Sequence, residues 1–318
     1  MSIRAIHLRA DARDEEVDLA AWRNRRIPED ELLWIDLVAP DAGELEQVER
    51  ALGLTGSTAA ALGQEMGGPD AAVLEDAVSV VVSAPGEQLD DDPVGLRILL
   101  GDEWVVTSHP ERIAILDEHL HRIQDDRAAG SLTPVLFLVE ALDWQLDAFF
   151  RVADELEQAV DRLDDAALRT EKDLVHRLVR MRRQIARVRR HLSSHREAYA
   201  ELSRPDFLPE LEDRERQELA TVVGRLDRAI EAIANVREML IGTFDVHMTR
   251  TAQRTNDIMK VLTLASAILL PASVIAGVMG MNFKVGFFED PNFFWVVLGG
   301  MGLIAAGTLL FARWRRWL

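Results

Sequence analysis

Two long apolar runs near the C-terminal end dominate the pattern of this 318-residue chain. Val261 to Met279 holds no charged residue, and Phe293 to Ala312 is the second such run. Each is about 20 residues, enough to cross a ~30 Å hydrocarbon core as a helix. The pattern predicts two membrane spans, at about 260–281 and about 293–312, with an outer loop at 282–292 and a basic tail at 313–318. Between Leu211 and Met279 the only proline is Pro271, which predicts one helix running from the aqueous phase into the bilayer. Upstream, Thr133–Leu168 repeats apolar residues at helical spacing, and Leu174–Leu202 reads as an arginine-rich helix ended by Arg204-Pro205 and Pro209.

Residues 1 to about 130 have a different rhythm. Ile3–Ala10, Leu33–Val38, Ala77–Ala84, Leu96–Leu100 and Trp104–Ser108 are short, apolar and rich in β-branched residues, as strands are. Asp41 ahead of Glu44, with Leu45, Val48 and Leu52 following, predicts a capped amphipathic helix, and Pro110–Ile123 predicts another. The expected organisation is an α/β domain over 1–130, long helices over 131–256 and a membrane domain over 257–318.

One face of the long helix carries the candidate chemistry. Asp245, Ala252, Asn256, Met259, Leu262, Ser266, Leu270, Ser273, Gly277 and Gly280 follow one another in steps of three, four or seven, so they form a single stripe. Inside the membrane this stripe is smaller and more polar than the faces holding Ile268, Leu269, Val274 and Ile275. Small and hydroxyl-bearing residues on one face serve either tight helix packing or a pore wall shared between subunits. Gly280-Met281-Asn282, where the first apolar run ends, favours the pore wall, because it offers amide and carbonyl oxygens at the mouth.

Charge sharpens the picture. The net charge is −18, yet residues 258–318 carry a net +3, so the acid lies in the part outside the membrane. An acidic body of this kind argues against nucleic acid and against an anionic membrane surface as partners. Arg250, Arg254 and Lys260 precede the first span and Arg313, Arg315 and Arg316 follow the second, which predicts both termini inside and Glu289 and Asp290 outside. The absence of cysteine removes disulfides and thiolate metal sites, and the first residues lack the apolar run of a signal peptide.

The runs Asn256–Thr263, Leu270-Pro271 and Gly277–Phe283, with Trp34-Ile35-Asp36-Leu37, Thr107-Ser108-His109 and the terminal Trp317-Leu318, resemble the CorA superfamily of divalent-metal transporters. That resemblance implies an inner-membrane, multi-pass homopentamer of funnel shape, with a stalk helix in each subunit and no enzymatic activity or cofactor. Each stripe residue would then become a ring. Gly280, Met281 and Asn282 would form the selectivity filter, whose neutral oxygens can hold a hydrated divalent ion without stripping its water. Met259, Leu262 and Leu270 would be apolar rings able to block ions by dewetting. Asn256 and Asp245 would lie in the cytoplasmic vestibule.

After the filter, Lys284 stands before Glu289 and Asp290, unlike the acidic loop of the magnesium branch and unlike the Val-Gly-Gly-Ile-Pro-like turn of the ZntB-like zinc branch. The stripe holds no His or Cys, the ligands that Zn²⁺ prefers. The expected cargo is Mg²⁺, with Co²⁺ and Ni²⁺. The alternative is Zn²⁺, driven by a proton gradient, and a two-span receptor or scaffold is a distant third.

Other features carry weaker signals. Asp90, Asp91 and Asp92 read as a solvated turn or as a regulatory cation site between subunits, and His247 as a metal contact near Asp245. His191 and His195 read as a solvated helix face. Gly53-Leu54-Thr55-Gly56-Ser57 lacks the lysine of a phosphate loop and reads as a turn.

Overall fold

The structure is a computed structural model that describes residues 3–9, 15–22, 27–28, 31–86, 88–113, 133–169, 173–208, 211–281 and 291–315. It divides into two compact units, one comprising 1–165 and 173–243, the other 166–172 and 244–318.

The first unit is built on a seven-stranded sheet in the order β2-β1-β3-β7-β6-β5-β4. The strands are β1 (Ile3–Arg9), β2 (Glu15–Glu16), β3 (Glu31–Val38), β4 (Asp70–Val73), β5 (Val78–Ala84), β6 (Val94–Leu100) and β7 (Trp104–His109). Neighbours pair antiparallel except β3 and β7, which run parallel at the centre. Strand β3 is buried on both faces, and its period-two alternation divides them. Leu33, Ile35 and Leu37 join a core with Val48, Ala51, Ala61 and Leu62 from helices α1 (Ala42–Leu52) and α2 (Gly56–Gly63). Trp34 points the other way and stacks at 5.0 Å on Phe137 of helix α3 (Pro134–Arg169). Helices therefore cover both faces of the sheet, as the α/β expectation required.

The start of α1 follows its sequence signal. Asp41 accepts from the Glu44 N–H at 2.9 Å, and the Glu44 carboxylate accepts from the Asp41 N–H at 2.9 Å, a reciprocal capping box. Gly53 closes α1 at φ 70°, in the left-handed region, and Gly56 already opens α2, so the turn read at 53–57 is shorter than expected. Gly101, between β6 and β7, lies against the Trp104 ring, where an added Cβ would meet the indole at 2.1 Å.

Helix α4 (Leu174–Ser194) and helix α5 (Arg196–Leu202) replace the single helix expected over 174–202. The break falls at His195, whose Nδ1 donates to the His191 carbonyl at 2.8 Å while the Ser194 hydroxyl donates to the same oxygen at 2.7 Å. Side chains thus occupy the acceptor that the next backbone turn would need, and the His195 N–H turns to Leu192 instead. Strands β2 and β4 and helix α2 had no clear sequence signal. Of the helix expected at Pro110–Ile123, residues 110–113 are not helical and the rest lies outside the described residues.

Helix α6 (Asp213–Met279) is continuous over 67 residues, roughly 100 Å at 1.5 Å per residue, and contains Pro271. Helix α7 (Pro291–Trp314) follows. The structure thus has two helices long and apolar enough to cross a membrane, and neither apolar window is buried within the chain.

Candidate functional site

Threonine hydroxyls before and inside the apolar part of α6 are satisfied by its own backbone. Hydroxyls of Thr251, Thr255 and Thr263 donate to the carbonyls of His247, Thr251 and Met259, each four residues back, at 2.9, 2.9 and 2.7 Å. Past Met279 the helix tightens: the Gly280 N–H donates to Ala276 at 2.9 Å and the Met281 N–H to Val278 at 3.2 Å. Gly280 and Met281 therefore sit at the exit of α6. Asn282, Lys284, Glu289 and Asp290 lie outside the described residues.

The stripe from Asp245 to Gly280 has one property in common, exposure. Asp245, Ala252, Asn256, Met259, Leu262, Ser266, Leu270, Ser273, Gly277 and Gly280 are all exposed, with Met259 at 55% and Leu270 at 64%. The half-buried positions on the same stretch, Lys260, Leu264, Ile268, Pro271, Ala272, Ile275 and Met279, recur in steps of three or four apart from the adjacent pair Pro271 and Ala272. At about 100° per residue the two sets fall on nearly opposite sides of the helix. On α7 the half-buried or buried positions Phe293, Val297, Met301, Ala305, Thr308 and Ala312 form a comparable face. One side of the membrane part of α6 is thus partly covered within the chain, and the small, polar side is bare. The sequence pattern had identified the bare stripe but not the covered one.

Lys260 Nζ pairs with Asp257 Oδ1 at 2.9 Å, an i,i+3 contact along the helix.

The remaining candidates separate. Asp90 accepts from Gln184 Nε2 of α4 at 2.8 Å, its carbonyl accepts from Arg187 at 2.7 Å, and Asp91 accepts from the Gln88 N–H at 2.9 Å. The turn is therefore tied to α4 and to itself. Among the described residues no three His, Asp or Glu side chains gather at a spacing that could hold a metal ion. His247 is half-buried on α6, apart from any such group.

The solvated reading of His191 and His195 fails for the second. His195 is fully buried. Its Nε2 accepts from the Ser83 N–H at 2.9 Å and from Gln145 Nε2 at 3.1 Å, and Gln145 Oε1 accepts from the Tyr199 hydroxyl at 2.8 Å. Burial pushes the imidazole down to about 4 and pushes the Tyr199 phenol up. This network joins β5 to α3, α4 and α5. A four-residue His spacing alone could not reveal it.

The two short motifs near the front form another buried network. Trp34 Nε1 donates to Thr107 Oγ1 at 2.9 Å, Thr107 donates to Asp36 Oδ1 at 2.5 Å, and His109 Nε2 lies 3.0 Å from the same oxygen. The partners stand on the parallel pair β3 and β7, in register Asp36 to Thr107. Their chemistry is that of a polar clamp between central strands, not of a reaction centre.

A strand-and-helix domain and a long helix, with two helices long and apolar enough to cross a membrane, is the architecture of a membrane protein. A model of the family described as "CorA-like Mg2+ transporter protein" matches residues 29–313. The cobalt/magnesium transport protein CorA of Methanocaldococcus jannaschii is 24% identical over 297 residues, spanning 90% of this chain and 92% of that one. CorA of Thermotoga maritima is 28% identical over 185 residues, and the match spans about half of each protein, 57% of this chain and 52% of the relative. Among solved structures, the complete CorA magnesium transporter of M. jannaschii superposes with a TM-score of 0.79 at 22% identity, covering 99% of this chain and 98% of that one. The ZntB cytoplasmic domain of Vibrio parahaemolyticus gives 0.63 at 11% identity, covering 80% of this chain and all of that domain. At such identities the structural likeness speaks to fold. The chain belongs to the CorA-like Mg²⁺ transporter family, a class of divalent-cation transporters and not of enzymes.

Proposed function

We propose that this chain is one subunit of a homopentameric Mg²⁺ channel of the inner membrane, with both termini cytoplasmic, and that the bare stripe of α6 lines its ion path. The observation that carries this reading is the opposition of two faces on one helix. Two spans cannot enclose a path alone, and a small polar face left uncovered in the single chain is what a shared wall requires. Rings of Gly280 carbonyls and Asn282 amides would meet hydrated cations at the mouth. Ser266 and Ser273 would offer hydroxyls to the water shell, and Met259, Leu262 and Leu270 would form apolar constrictions. The membrane potential, worth about 2.3 kcal/mol per charge per 100 mV, would drive entry.

Magnesium and cobalt are favoured over zinc by the absence of His and Cys from the stripe and by the names of the M. jannaschii and T. maritima relatives. The likeness to the ZntB cytoplasmic domain does not bear on cargo, because it lies outside the membrane part. Control by internal metal at Asp90, Asp91 and Asp92 would need carboxylates from a neighbouring copy, since Asp90 is engaged by Gln184 within the chain.

The test is flux in proteoliposomes, with Mg²⁺ and Zn²⁺ read by trapped dyes, with and without a pH gradient, and Asn282→Ala alongside. Potential-driven Mg²⁺ entry without proton dependence, altered in the variant, supports the reading. Proton-enhanced Zn²⁺ entry moves the protein to the zinc branch, and no flux of either ion removes the channel.

A further inference from the structure

Helix α4 is electrostatically one-sided. It carries seven arginines and no acidic residue in a chain whose net charge is −18. Its apolar residues Leu174, Leu178, Met181, Ile185, Val188 and Leu192 are buried. Opposite them, Arg180, Arg183 and Arg190 follow at i, i+3 and i+10, all exposed, and the exposed Val175 and Val179 continue the Arg183 line at steps of four. Like charges at such spacing repel one another along a helix. Among the described residues no ion pair relieves any of these three arginines.

Helix α3 of the same unit carries the opposite pattern. Asp154, Asp161 and Asp165 recur at i, i+7 and i+11, all exposed, and none is paired with a basic side chain among the described residues. Each copy therefore presents one basic helix face with an exposed apolar strip and one face with three exposed aspartates, and among the described residues no ion pair joins these aspartates to the exposed Arg151, Arg162 and Arg169 three or four positions away.

We infer that the arginine face of α4 docks on the aspartate face of α3 in the neighbouring copy of this chain. The charges are complementary, the faces belong to one unit, and a head-to-tail contact uses one of each per subunit, so a closed ring consumes them all. A nucleic acid or an anionic membrane fits less well, because the rest of the chain would repel it. The contact would be strongly salt-sensitive and would couple the helical layers of adjacent subunits. This inference rests on the proposed assembly, but on a surface separate from the α6 stripe.

The cysteine-free sequence allows a clean test in the full-length protein. Chains bearing one cysteine at Arg180, Arg183 or Arg190 are co-assembled with size-tagged chains bearing one at Asp154, Asp161 or Asp165, and oxidised. A single-cysteine chain cannot close on itself, so a mixed dimer reports contact between copies. At least one pairing is expected to give a mixed disulfide several-fold above the like-with-like background. Adding a charge-reversed arginine (Arg190→Glu, or Arg183→Glu) should suppress it, and Asp165→Arg or Asp161→Arg on the partner should restore it. Ala252→Cys on the α6 stripe is the separate control. If it cross-links while no α3–α4 pairing does, this inference is wrong and the assembly stands. If neither cross-links, the assembly reading falls as well.

Discussion

His195 offers a direct check on how the soluble unit is held together. Its imidazole is fully buried, its Nδ1 is committed to the His191 carbonyl, and donors from Ser83 and Gln145 meet its Nε2. A proton on Nε2 would face those donors without solvent, and burial holds the group near 4 against an ordinary 6.5. The unfolded chain regains the ordinary value, so between pH 6.5 and 4 the unfolded state binds more protons than the native one. Stability is therefore complete above pH 6.5 and is lost as the pH falls through about 4. The displacement is worth about 3 kcal/mol over the whole window, of which about 2 kcal/mol falls between pH 7 and pH 5. His195→Gln keeps an acceptor in the network and cannot titrate. In denaturant unfolding of the full-length protein in detergent, followed by tryptophan fluorescence, the variant should be less stable at pH 7. Its deficit should shrink by about 2 kcal/mol at pH 5, because the wild type alone pays the protonation cost. A deficit that stays constant from pH 7 to pH 5 refutes the reasoning.

Three further outcomes concern side-chain contacts within the first unit. Thr107→Val should cost about 2–3 kcal/mol in the same unfolding assay, since it strips Trp34 Nε1 of an acceptor and Asp36 of a donor in a dry site, whereas Thr107→Ser should cost much less. Arg97, buried on β6, donates to the carbonyls of Ala61 and Gln64 at the end of α2, and burial lowers its guanidinium from the ordinary value. Arg97→Met should cost about 1–3 kcal/mol and speed hydrogen exchange of the α2 amides first. Arg225 bridges Asp143 and Asp147 at partial exposure, so Arg225→Ala should lose no more than about 1 kcal/mol per pair, less at high salt.

How much was legible in the sequence depended on how local the signal was. The two apolar helices, the unbroken α6 and the α1 cap are written in runs and spacings a few residues long, and the structure has helices and cap where the pattern put them. The stripe was legible because helical periodicity fixes which residues share a face, whatever surrounds them. The half-covered face opposite it was not, because Leu264, Ile268 and Ile275 look like any lipid-facing residues until the folded chain shows them half-buried. The burial of His195 depends on a partner distant in sequence: Ser83 is 112 residues away. The Trp34 and Thr107 motifs were visible as words, but their meaning as one clamp required the parallel pairing of β3 with β7.

In the proposed channel the bare side of α6 faces a water-filled path. Cysteine scanning through residues 262–277 in flux-competent proteoliposomes, with a charged, membrane-impermeant thiol reagent, tests it most directly. Leu262, Ser266, Leu270, Ser273 and Gly277 replaced one at a time should react and lose Mg²⁺ flux on modification, while Leu264, Ile268 and Ile275 should neither react nor lose flux. Reaction and block on the Leu264–Ile275 side, with the Ser266–Gly277 side silent, would rule out a path along the bare stripe.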